Sequence, residues 1–157
     1  MKVIFLDVDG VLNSEEWAIE KISDKRRGYG GFFREDTNIT KDDVLWDPRC
    51  VDYLYKIVSH TNAKIVMSST WRLKFSVKKF KEMFALYGWK NVPVIDKTIE
   101  LGSRNGIFYD NTCRGLEVNE WLNRNKDVEN YVILDDISQF LPDQMEQVNR
   151  NSSFSLF

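Results

Sequence analysis

The run Lys2-Val3-Ile4-Phe5-Leu6-Asp7-Val8-Asp9-Gly10-Val11-Leu12-Asn13 decides how this chain is read. Five mostly β-favouring residues lead into two carboxylates at i and i+2, and a glycine follows at once. Alternate residues of a strand point the same way. Asp7 and Asp9 are therefore expected to leave a buried strand together, at its carboxyl end, where open α/β sheets place their ligands. Two acids side by side repel by about 4 kcal/mol at about 4 Å for an effective dielectric of about 20. A bound divalent cation is the simplest arrangement that offsets this. A polar turn needs only one Asp before Gly and leaves the second acid unexplained.

Working outward, three more short apolar runs without strict alternation read as buried parallel strands: Lys64–Met67, Val92–Ile95 and Tyr131–Leu134, beside the first at Val3–Leu6. Helical patterns lie between them. Val51, Leu54, Tyr55 and Val58 follow i, i+3, i+4, i+7, and Asp47-Pro48 supplies an N-cap and a first-turn proline. Val77, Phe80, Phe84 and Tyr87 form a second stripe ended by Gly88. Leu116, Val118, Trp121 and Leu122 suggest a third helix begun near Gly115. This alternation predicts a three-layer, Rossmann-like α/β fold, a parallel sheet flanked by helices. Gln147-Val148 is a candidate start for a short fifth strand.

The 157 residues fit one domain, 1–157, and 43% hydrophobic content supplies a core. A net charge of −2 argues against a generic nucleic-acid coat, although a local basic groove is compatible with it. Cys50 and Cys113 are too few for a disulfide framework. The apolar run after Lys2 stops at Asp7, short of a signal peptide, and no stretch approaches a membrane span. The expectation is a cytoplasmic protein with no membrane partner. Residues 14–46 break the alternation. They are polar, carry Lys25-Arg26-Arg27 and Gly28-Tyr29-Gly30-Gly31, and read as a small flap or cap inserted after the first strand.

Further polar residues cluster at predicted strand ends. Asp135-Asp136 follows Tyr131–Leu134 and reads either as a helix N-cap with its neighbour or as the second half of a metal site. Hard oxygen ligands suit Mg2+. Ser68 closes another strand and is followed by Ser69-Thr70-Trp71-Arg72. A hydroxyl with the N–H groups of a strand-to-helix turn makes a phosphate cradle, and Arg72 adds a cation. Arg114 could neutralise a phosphoryl oxygen and pair with a carboxylate, with Lys97 as the rival cation.

The ordered set Asp7-Val8-Asp9-Gly10-Val11, Ser68, a basic residue and Asp135-Asp136 resembles the haloacid dehalogenase (HAD) superfamily of phosphotransferases. The resemblance covers residues 2 to 136. Asp9-Gly10-Val11-Leu12-Asn13, Ser68-Ser69-Thr70-Trp71-Arg72 and Arg114-Gly115-Leu116-Glu117 further resemble a branch linked to nucleic-acid repair phosphatases. The resemblance implies an Mg2+-dependent phosphatase in which Asp7 attacks phosphorus and Asp9 is the acid/base. It implies metal ligands at Asp7, Asp135, Asp136 and the backbone carbonyl of Asp9, and phosphoryl contacts from Ser68 and Arg114. Ser69, Arg72 and Lys97 are candidate substrate-binding residues. The superfamily's basic residue is usually a lysine close before the last acids. The Arg-Gly-x-Glu match favours Arg114 over Lys97.

A small insert leaves an open site, which suits a phosphorylated substrate as large as a nucleic-acid end. Trp17, Tyr29, Phe32, Phe33, Trp46 and Trp71 include candidates for base stacking, and Arg26, Arg27, Arg34 and Arg72 for backbone phosphates. A general small-molecule phosphatase and a non-catalytic phosphate- or nucleotide-binding module are the alternatives.

Overall fold

β1, Lys2–Leu6, lies at the centre of a parallel sheet, with β2, Lys64–Met67, on one side and β4, Asn130–Leu134, on the other. β3, Val94–Lys97, and the two-residue β5, Val148–Asn149, are the edges, giving the order β3-β2-β1-β4-β5. The computed structural model describes residues 1–14, 16–17, 19–20, 35–36, 38–101 and 113–149.

The alternation within β1 divides the core. Ile4 and Leu6 pack on one face with α2, Pro48–Thr61, and α3, Val77–Leu86, through Leu54, Val58, Phe80 and Phe84. Val3 and Phe5 pack on the other with Val118 and Trp121 of α4, Cys113–Arg124. Central strands buried on both faces read as continuous apolar runs, which is why they stand out in the sequence. Asp47 caps α2 as expected, its carboxylate accepting from the Arg49 N–H at 2.8 Å, with Pro48 at the first helical position. Among the described residues, no helix is long and apolar enough to cross a membrane.

Three local departures have physical causes. β3 begins at Val94, two residues later than the apolar run suggests. Pro93 has no N–H to give the ladder, and only its carbonyl takes part, accepting from Ile65 N. The register then shifts between Ile65 and Val66, so β3 includes Asp96 and Lys97 and leaves Ile95 exposed. Residues Pro142–Gln147 form a 3-10 helix before β5. The end of the 14–46 segment belongs to the body. α1, Lys41–Val44, buries Val44, and Trp46 is fully buried against Phe84 and Tyr87, its backbone N–H donating to the Tyr87 hydroxyl at 2.8 Å. Trp46 is core and no base-stacking surface. Arg26, Arg27, Arg34, Tyr29, Phe32 and Phe33 lie outside the described residues.

Candidate active site

Parallel strands end on one edge, and the pairing of Leu6 with both Met67 and Leu134 puts the next residues, Asp7, Ser68 and Asp135, side by side. Asp7 N donates to Leu134 O and Ser68 N to Leu6 O, both at 2.9 Å, so the ladder continues into the site residues. Asp7, Ser68 and Asp135 are all buried.

The chain does not continue as a strand beyond Asp7. Val8 O accepts from Val11, Leu12 and Asn13 N–H groups, which winds residues 8–13 into a tight turn. Asp9 therefore lies in this turn and not in the strand. Its carboxylate is exposed and bound elsewhere, Oδ1 by the Asn13 amide at 2.8 Å and Oδ2 by the Trp71 indole N–H at 2.9 Å. Gly10 allows the turn. It holds φ +77, and a Cβ there would fall inside the Asp136 carboxyl group.

Asp136 instead joins Asp7 and Asp135, and the three offer carboxylate oxygens within 4.8 Å of one another. Arg114 lies among them. Its Nη1 is 3.0 Å from Asp7 Oδ2 and 2.5 Å from Asp135 Oδ2. Burial pushes the Asp7 carboxyl up, while Arg114, the Val8 N–H and the Ser69 hydroxyl draw it back. Burial and the negative charge of Asp7 push Asp135 up to about 6, against the pull of Arg114 and the Ile137 N–H. Burial works against the Arg114 charge, but the two carboxylates outweigh it and hold the guanidinium above its ordinary value. A single arginine thus compensates only part of a buried acidic cluster. Oxygen donors at this spacing, two of them desolvated, fit a hard divalent cation.

The loop after β2 forms the other wall. The Ser68 hydroxyl is fully buried and has no hydrogen-bond partner among the described residues, an orphan that an anion oxygen would satisfy. Ser69 caps the 3-10 helix Thr70–Leu73 by accepting from Trp71 N, and its hydroxyl bonds Asp7. Ser69 thus sits against Asp7, the acid at the centre of the site.

Arg72 and Lys97 both bond to the protein's own carbonyls. Arg72 is buried. Its guanidinium donates to the carbonyls of Ser68, Ser69, Thr98 and Ile99 and forms a 2.5 Å ion pair with Glu117. Those five contacts match its five N–H donors, so none remains for a phosphate. Lys97 Nζ donates to Arg72 O and Phe75 O at 2.6 and 3.0 Å, closing the carbonyl end of the same short helix. Arg114 is the cation beside Asp7.

Several residues at the site escaped the sequence reading. Gly115 follows Arg114 and has no room for a side chain, since a Cβ would press on Leu141 N and Gln144 Oε1, each at 2.7 Å. The Gln144 amide completes the clamp: its Nε2 donates to Gly115 O and its Oε1 accepts from Leu141 N, both at 3.0 Å. This fixes the start of α4 and so the root of Arg114. Asn13 was legible only as a member of the first motif and Trp71 only as an aromatic, because neither spacing nor residue type announces a bond to Asp9.

A doubly flanked parallel sheet with acids at the ends of two adjacent strands, a serine at the end of a third and an arginine between the acids defines a protein of the HAD class. The chain belongs to the family of HAD domains in Swiss Army Knife RNA repair proteins, which it matches over residues 3–154. No curated protein and no solved structure matches it.

Proposed function

We propose that this chain is an Mg2+-dependent phosphomonoesterase that removes a terminal phosphate from a nucleic acid or nucleotide by way of a phosphorylated Asp7. One observation carries the reading: Asp7 is buried at the end of the central strand, held by Arg114 and Ser69 beside two further acids. The RNA-repair membership of the family supports the nucleic-acid substrate.

Asp7, Asp135 and Asp136 would hold the cation, with the Asp9 carbonyl as a fourth protein ligand. When bound, the cation supplies charge neutralisation for the acids and for a phosphoryl oxygen. In the first step an Asp7 carboxylate oxygen bonds phosphorus as the bond to the leaving oxygen breaks, and that oxygen takes a proton from Asp9. In the second, water bonds phosphorus, the bond to Asp7 breaks and the water's proton passes to Asp9. Arg114 and the Ser68 hydroxyl bind the phosphoryl oxygens while charge shifts among them.

The test is turnover of p-nitrophenyl phosphate and of 3′- and 5′-phosphorylated RNA oligonucleotides. Activity is expected with Mg2+ and lost with EDTA or in Asp7→Asn. Acid quenching during turnover of a labelled oligonucleotide should trap labelled phosphate on the wild type alone. Label retained on Asp7→Asn would overturn the assignment of the nucleophile.

A further inference from the structure

Asp9 is exposed, yet both of its carboxylate oxygens are engaged. The donors come from different parts of the chain. Asn13 closes the turn that Asp9 itself begins, and its Oδ1 also accepts from Gly10 N at 3.1 Å. Trp71 belongs to the short helix after β2. Its indole is itself seated, 6.3 Å from the Trp46 ring and 6.0 Å from Phe75 by centroid. Trp46 and Phe75 are buried, so the indole N–H is presented from a packed aromatic cluster.

An indole N–H can only donate, and an amide NH2 donates likewise. Each carboxylate oxygen can accept at about two positions. One N–H on each oxygen leaves the other position open, so Asp9 can carry a proton, or receive one, while both bonds persist. The two donors fix the position and rotation of the group. An exposed aspartate without such support samples several rotamers, and misplacement of an acid/base group by a fraction of an ångström slows proton transfer.

We infer that Trp71 is a positioning residue: together with Asn13 it mounts Asp9 so that its proton is delivered to the leaving oxygen. This rests on the phosphomonoesterase reading above. In that step the phosphorus–oxygen bond breaks and the departing oxygen takes the Asp9 proton. A poor leaving group such as a ribose alkoxide needs that proton. A nitrophenolate departs with little help. Trp71 should therefore matter for one substrate class far more than for the other, a difference that general loss of structure does not produce.

The experiment compares Trp71→Phe, which keeps the ring and removes the N–H, with wild type on a phosphorylated oligonucleotide and on p-nitrophenyl phosphate. The expected result is a fall in kcat of about 10- to 100-fold on the oligonucleotide, a fraction of the full general-acid effect, and a fall several times smaller on the aryl ester, with KM little changed on both. In an Asp9→Asn background the substitution should have no further effect on either substrate. Loss of one of the five indole N–H resonances, with the others in place, establishes that the variant is folded. If Trp71→Phe misfolds, Asn13→Ala replaces it with the same expected selectivity. An equal loss on both substrates, no loss, a gain, or a further loss in the Asp9→Asn background overturns the positioning role. A wild type inert on both substrates brings down the phosphomonoesterase reading and this one with it.

Discussion

A carboxyl that burial and a like charge push up to about 6 makes Asp135 a measurable weak point of the cation-free protein. The ordinary value is 3.8, so the folded state binds the proton more tightly than the unfolded state does. Stability is then lost as pH rises between those two values, and the loss is complete above the folded value. In EDTA, wild type should lose thermal stability relative to Asp135→Asn as pH goes from about 4 to about 7, with the two curves converging at the acid end. The difference at neutral pH should be of the order of 1–3 kcal/mol, a few degrees in Tm for a chain of this size. Parallel curves across that range would show that Arg114 already compensates the carboxyl fully. None of this was visible in the sequence. The pair Asp135-Asp136 announced acids at a strand end, but adjacent residues have different environments here, one buried and one exposed beside Gly10.

At the scale of elements, the short helix Thr70–Leu73 is tied to the rest of the site by Arg72. Its guanidinium joins the loop after β2, the segment after β3 and Glu117 of α4, while Glu117 Oε1 accepts from Leu101 N at 3.2 Å. Burial pushes the Glu117 carboxyl up, and Arg72 draws it back. Removing one member of such a pair leaves an uncompensated buried charge and typically costs about 3–5 kcal/mol. Arg72→Met should therefore destabilise the protein by about that much in urea, and Arg72→Met with Glu117→Leu should recover part of it. A double variant less stable than Arg72→Met would show that the Glu117 carboxylate, through the Leu101 N–H it accepts, stabilises the fold more than its unpaired charge costs. The elements themselves were largely readable. Apolar runs marked the strands because they are buried on both faces, and Asp47-Pro48 marked a helix start. The partners of Arg72 were not, since Thr98, Ile99 and Glu117 come to it only through tertiary folding. A cation beside a serine motif looks the same in sequence whether it faces a ligand or the interior.

For the whole molecule, the acids that follow β1 and β4 form a seam at one edge of the sheet. A cation held there links strand ends far apart in the chain. Added Mg2+ should raise Tm in proportion to the logarithm of its concentration above Kd, and EDTA should reverse the rise. Asp136→Asn, which removes the exposed member of the cluster, should respond far less in the same scan. An equal response in that variant would place the ion elsewhere. The same seam has a consequence for biosynthesis. Lys2 lies opposite Asn130 and Leu6 opposite Leu134, so the strand at the middle of the sheet leaves the ribosome long before the neighbour that completes it. Gln144, which steadies the root of Arg114, emerges later still. Contacts of such long range form slowly, after loop closure has been met. Until that late portion appears, Asp7 lacks both the acids and the arginine that surround it in the finished fold. A nascent chain therefore carries Asp7 as an ordinary side chain, and the acidic cluster is complete only when translation has passed β4 and the turn behind it.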